Sequence, residues 1–197
     1  MRRVFAFFLS LGLAATPALP ALAQTTPDAK AAPSPQKAAS RLDTLFGKLK
    51  RERNERAAGR IASQIQDQWN ESGSASIDLM MQWSQQAMAA QKFDVALDFL
   101  DQVITLAPAY AEGWNRRATV HFMMHNFRKS MSDIDRTLRL EPRHFGALAG
   151  MAQIMTARGN KELALDAWQR VLAIYPMMRN AQDQVTTLSE ELAGEAI

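Results

Sequence analysis

The sequence predicts an all-α chain built as an array of stacked helix pairs. Three observations carry that prediction. Pro108, Pro142 and Pro176 stand 34 residues apart. Small residues keep the same register, with Ser84, Ala118 and Ala152 in one series and Ala96, Ser130 and Ala164 in another. Large apolar residues follow it too, at Leu100, Ile134 and Trp168 and at Leu106, Leu140 and Ile174. A fixed period of this length, with proline, small and apolar positions in phase, marks a helical repeat. One helix pair cannot bury its apolar face alone, so neighbouring pairs must stack.

The units run 77–110, 111–144 and 145–178. In the second, Ala111 to Met124 reads as the first helix, His125-Asn126 as the turn and Phe127 to Leu140 as the second helix. Phe127, Met131, Ile134 and Leu138 follow the three-to-four spacing of a buried face, as do Phe93, Leu97, Leu100 and Ile104 one unit earlier. The other turns fall at Gln91-Lys92 and at Gly159-Asn160, where glycine suits a helix C-cap. The proline after each second helix cannot continue it and pushes the preceding residue out of helical geometry.

Residues 1–23 read as a secretion signal. Arg2 and Arg3 precede an apolar run from Val4 to Ala15, Pro17 and Pro20 break the run, and Ala21-Leu22-Ala23 is a small-x-small cleavage site. The run is too short to span a bilayer comfortably. A periplasmic chain starting at Gln24 is therefore expected. Residues 24–39 are rich in Pro, Ala, Thr and Lys and are expected to form a disordered linker. Residues 40–76 form an N-terminal helical segment. Its stripes are Leu42, Leu45, Phe46 and Leu49, then Ile61, Ile65 and Trp69. They predict two helices broken near Ala58-Gly59, or one long helix, with Ile61 to Trp69 packed on the first repeat as a fourth layer and a loop at Asn70 to Ser76. Residues 179–197 read as a capping helix and tail: Val185, Leu188 and Leu192 face inward, and Asp183, Gln184, Glu190 and Glu191 face water.

The chain has no cysteine, so export does not serve disulfide formation. Its formal charge of +3 includes Arg2 and Arg3, and the chain after Ala23 is close to neutral. That balance argues against a nucleic-acid partner. His121 and His125 have a chelating spacing, but no acidic or cysteine ligand adjoins them, and a packed His121 is the better reading. The methionine pairs 80–81, 123–124 and 177–178 follow the repeat and suit core filling rather than copper. No phosphate loop, nucleophile elbow or metal-protease motif is present, so neither an enzyme nor a cofactor is expected.

Trp114, Ala118, Phe127 and Pro142 in the second unit resemble the tetratricopeptide repeat, in a bacterial exported form. The resemblance covers 77–178. It departs at Arg117 and Ser130, where leucine and alanine are usual. Met80 and Leu148 replace the early tryptophan of the first and third units, and Lys161 replaces the third unit's aromatic. The resemblance implies a right-handed α-solenoid of three units with flanking helices. Its first helices would line a concave groove that holds a segment of another protein. The groove positions would be Met81, Gln85 and Met88, then Asn115, Thr119 and Phe122, then Ala149, Gln153 and Thr156. Gln85, Asn115, Thr119, Phe122 and Gln153 are the strongest candidates. Amides pair with an extended backbone, and methionine gives an adaptable floor. The basic clamp that some members use for acidic C-termini is absent, since Met81, Gln85 and Ala149 stand where Lys, Asn and Lys would be needed.

Three rival surfaces remain. Arg116, Arg117, Arg143 and His144 lie near the joins between units and suit a basic spot for a carboxylate or anionic glycan, although pairing with Asp133, Asp135 and Glu141 is the ordinary outcome. The basic stretch Lys48 to Arg60 suits an anionic membrane surface or cell-wall polymer, although a solvated helix face is its default. Apolar end faces allow self-association into a structural envelope protein. The expectation is a non-enzymatic interaction scaffold of the cell envelope.

Overall fold

The computed structural model describes residues 35–195, and the segment expected to be leader and most of the linker lies outside the described residues. Among the described residues there are nine α-helices and no strand: α1 (Pro35–Arg51), α2 (Glu55–Asn70), α3 (Ala75–Ala89), α4 (Phe93–Leu106), α5 (Ala111–Met123), α6 (Phe127–Leu140), α7 (Phe145–Ala157), α8 (Lys161–Ile174) and α9 (Arg179–Glu195). None of them is long and apolar enough to cross a membrane. The pairs α3–α4, α5–α6 and α7–α8 are the three repeats, and they form a helical solenoid.

The repeat is a backbone rule as much as a side-chain rule. Gln91, His125 and Gly159 adopt left-handed φ values of 57°, 58° and 74° at equivalent positions. The residue after each donates its backbone N–H five residues back: Lys92 to Ala87 (2.9 Å), Asn126 to His121 (2.8 Å) and Asn160 to Met155 (2.9 Å). This bond satisfies a carbonyl orphaned by the helix end. Only the third turn uses glycine, so the first two hold a side chain in the left-handed region at about 1 kcal/mol each.

The small-residue series is buried throughout, and it sets the distance between paired helices. Ser130, which replaces the usual alanine, donates its hydroxyl to the Ala118 carbonyl at 2.8 Å and so links α5 to α6. Between repeats, Gly113 lies so close to α4 that an added Cβ would stand 2.8 Å from Val103 Cγ1. The Trp114 indole donates to the Pro108 carbonyl, 3.1 Å away, and the Arg117 guanidinium lies 5.0 Å above its ring.

The N-terminal helices depart from expectation in two ways. The helix break lies at Glu52-Arg53-Asn54, not at Ala58-Gly59. Glu52 Oε1 accepts from the backbone N–H of Arg53 and Asn54, and Asn54 caps α2 by accepting from Ala57 N–H at 2.9 Å. The stretch 48–60 is therefore the end of one helix and the start of another. The first helix begins at Pro35, inside the segment expected to be linker.

Second, α1 and α2 pack on the third repeat, not on the first as a fourth layer. Leu45, Phe46, Leu49, Ala58, Ala62, Ile65 and Trp69 share one core with Phe145, Leu148, Trp168 and Leu188. The cause is aromatic and ionic complementarity. Trp69 stacks on His144 with ring centroids 4.1 Å apart and planes 10° from parallel, and it abuts Phe145 at 5.0 Å. Arg143 reaches Asp43 at 2.7 Å and Arg179 reaches Glu55 at 3.2 Å. The C-terminal helix packs on α8, with Leu188 buried and Val185, Leu192 and Gln184 half-buried.

Candidate functional site

The expected groove positions separate into two sets. Asn115, Thr119 and Phe122 of α5 and Ala149 and Gln153 of α7 line one cleft of about 190 Å³. Phe122 and Asn115 are half-buried, while Thr119 and Gln153 are exposed. The first repeat does not extend this surface as expected. Met81 is buried, because residues 77, 81, 84 and 88 share the inward face of α3, and Met88 packs against the same core. Gln85 stays exposed but its Oε1 accepts from Arg116 at 3.2 Å. Thr156 is exposed beyond the cleft and donates to the Ala152 carbonyl.

Two features of the cleft come from residues outside the expected set. Gly146 and Gly150 of α7 face it one turn apart, and Ser130 and Ile134 form part of its wall. Glycine inside a helix costs about 1 kcal/mol relative to alanine, and here it leaves the α7 backbone open to the cleft. An added Cβ at Gly150 would stand 3.5 Å from Ile134 Cδ1, at ordinary contact distance. The cleft is thus walled by one aromatic ring and rimmed by amides and a hydroxyl. The Asn115 amide donates to Glu112 Oε2 at 3.1 Å, which turns its carbonyl outward as an acceptor.

A second, polar cavity of about 260 Å³ adjoins the first through shared Asn115 and Gly146, and Gln66, Trp69 and Asn70 of α2 close it. Its centre is Glu112, which is buried. Glu112 is held by His144 Nε2 at 3.1 Å, Arg116 at 3.0 Å and Asn115 at 3.1 Å. His144 Nδ1 accepts from Ala147 N–H and caps α7, so Nε2 carries the proton and donates to the carboxylate. Burial works against the charge on Glu112, but the His144 and Arg116 bonds hold its carboxyl below the usual range.

The arginines near the joins pair with acids. Arg117 forks onto Asp133 at 2.8 and 2.7 Å and reaches Asp101 of the preceding repeat at 2.7 Å. Arg143 binds Glu141 and Asp43, while Asp135 pairs with Arg139. The partners Asp101 and Asp43 follow from no local spacing, whereas Glu112 stands one helical turn before Arg116. His121 is packed inside, 6% exposed, and its Nδ1 has no hydrogen-bond partner. Burial pushes its imidazole pKa down. Among the described residues no group of three His, Cys, Asp or Glu is placed to hold a metal. A more open depression of about 560 Å³ lies at the second repeat's turn, lined by His125, Phe127, Arg128, Lys129 and Arg158 and away from the groove.

No family model matches the chain. It is 57% identical over 154 residues to a TPR repeat-containing protein of Rhizobium etli, a match covering 78% of this chain and 76% of that one. It is 27% identical over 97 residues to small glutamine-rich tetratricopeptide repeat-containing protein 2 of Saccharomyces cerevisiae, covering 49% of this chain and 28% of the relative. Among solved structures, the first TPR of Spaghetti (RPAP3) bound to the HSP90 peptide SRMEEVD superposes with a TM-score of 0.58 at 21% identity, over 61% of this chain and 95% of that one. A crystal structure of MamA protein gives 0.54 at 14% identity over 79% and 82%. These structural likenesses show the fold. The extent of the Rhizobium match, on top of the repeat register described above, shows that this chain belongs to the tetratricopeptide repeat family.

Proposed function

We propose that the protein is a non-enzymatic scaffold that holds a segment of another protein in the cleft between α5 and α7. The observation that carries this reading is the 190 Å³ cleft, where Asn115, Thr119, Phe122 and Gln153 converge beside two glycines of α7, one in its first turn and one inside it. A helix gives up stability at Gly146 and Gly150 to keep backbone and space open. Gln153 has no hydrogen-bond partner among the described residues, and both its amide groups are available to an extended backbone. Phe122 offers one apolar contact. The occupant that fits is an uncharged extended segment with one apolar side chain. An acidic tail is disfavoured, because no cation stands where the clamp would need one.

The test is selection from a displayed library of extended peptides, followed by affinity measurement. Asn115→Ala with Gln153→Ala is expected to weaken the selected peptide at least ~10-fold, in line with two lost polar anchors. Helical content and melting temperature should change little. Gly150→Leu, which fills the cleft, should abolish binding. Unchanged affinity in both variants would place the site elsewhere.

We also propose an envelope location, supported by the charged start, short apolar run and small-x-small site of residues 1–23. Mass spectrometry of the purified native protein should find Gln24 as its first residue. An intact N-terminus in a cytosolic fraction would remove the envelope placement.

A further inference from the structure

The 34-residue register assigns a face of the first repeat that the other described residues leave uncovered. In each internal repeat, one stripe on either helix packs against the repeat before it. On α5 and α6 the stripe includes Gly113, Arg117, Val120 and Asp133; on α7 and α8 it includes Ala147, Ile154 and Ala167. All are buried except Arg117, which is half-buried and ion-paired to the preceding α4. The equivalent positions of the first repeat are Leu79, Trp83 and Gln86 on α3 and Phe99 on α4; Val95 lines the same depression, and Leu106 ends α4. They have no repeat before them, and α1 and α2 pack on the third repeat instead. Leu79, Trp83, Val95 and Leu106 are 42%, 42%, 43% and 67% exposed. Trp83 and Phe99 meet at 5.4 Å between centroids and form the middle of the patch.

We propose that this face is a homodimer interface, in which α3 and α4 of one copy stack on α3 and α4 of a second about a two-fold axis. Four observations select a second copy. The stripe carries no charge, with only Lys92 beside it among the residues lining its open depression. Identical faces therefore meet without like-charge repulsion, which an isologous contact requires. The same register positions are covered by a helix pair in the second and third repeats, there by the opposite face of the preceding repeat, so they are positions that this sequence builds to be covered. The opposite end of the array is covered by α9, so pairing closes at two copies rather than growing into a fibre. Finally, the size fits. Two helices of about 21 Å, each about 10 Å wide, present roughly 400 Å² of flat face per copy, and side-chain relief enlarges this. That places the pair at the low end of specific interfaces, so dimerisation is expected at micromolar concentrations rather than as an obligate state.

The test is sedimentation equilibrium of the purified native protein from about 1 to 200 µM, a range chosen to bracket a weak interface. The monomer is expected to pass reversibly to a dimer. The substitutions Trp83→Arg and Phe99→Asp introduce the residues found at Arg117 and Asp133, the equivalent positions of the second repeat, so the helices tolerate them. Together they should raise the dimer dissociation constant at least ~30-fold, as expected for loss of a central aromatic pair. Circular dichroism should stay within error. Because the chain has no cysteine, Gln86→Cys places a single thiol on the face. It should form a disulfide-linked dimer under mild oxidation, whereas Glu191→Cys on α9 should not. A monomer at all concentrations would overturn the proposal. So would a dimer that survives the double substitution, or one that crosslinks through α9. A monomer that instead captures a different protein through Trp83 would also overturn it.

Discussion

The two ends of this array are built from the same helix pair and treated in opposite ways. At the third repeat, α1, α2 and α9 converge on α7 and α8, and Trp69, Phe145 and Trp168 lie in one buried core. At the first repeat, Leu79 and Trp83 stand in the stacking register and face water, as do Val95 and Leu106 on α4. Burial in a solenoid thus belongs to the joint between layers and not to the layer itself. A residue is core or surface according to whether another helix pair arrives. Among the described residues, α9 covers the far end, the first two helices share that repeat's core, and the near end is left exposed.

The largest expected effect comes from breaking the covered end. Trp69→Ala should destabilise the protein by about 3–5 kcal/mol, since a large buried ring is removed from a packed site. Hydrogen exchange should show α1, α2 and the start of α7 losing protection, while α3 and α4 change little. Equal loss across all repeats would mean that the two ends are not distinct.

A smaller effect sharpens the same contrast through acidity. Glu112 titrates below the ordinary glutamate value, so its stabilising contribution is present above that value and disappears as pH falls through the folded pKa. Protonation loosens its bonds to His144 and Arg116, and His144 is the ring on which Trp69 rests. Acid that takes the pH below the lowered folded pKa of Glu112 should therefore release α2 from α7 before it melts α3–α4. Glu112→Gln should cost about 1–3 kcal/mol at neutral pH and flatten the acid dependence. Tryptophan fluorescence against pH in the variant and the parent checks both.

Much of the architecture is legible in sequence because a repeat fixes its nearest neighbours. The positions of the turns and the pairing of α3–α4, α5–α6 and α7–α8 follow from Pro108, Pro142, Pro176 and the small-residue series. The cleft is legible in part: register brings Asn115, Thr119 and Gln153 together, but it places Met81 on the wrong side of α3. Gly146 and Gly150 carry a signal of their own, since two glycines one turn apart on a helix have to answer to something. The break at Asn54 can also be read locally, since an asparagine before Glu55 and Arg56 is a helix start. The destination of α1 and α2 has no local signal. It depends on a ring pair, Trp69 with His144, joined by neither period nor spacing, and on Asp43 meeting Arg143 from a hundred positions away.

That last separation sets an order of events during synthesis. The first helices to leave the ribosome have their packing partners 100 and 124 residues downstream. At about 5–20 residues per second, α1 and α2 wait roughly 5–25 s with Phe46, Ile65 and Trp69 unsatisfied. A solenoid of local contacts can settle layer by layer as it emerges, whereas this one is completed only when its last helix pair arrives to receive its first. A nascent chain stalled before Phe145 would therefore carry a greasy hairpin with nowhere to dock, a natural client for a holding chaperone.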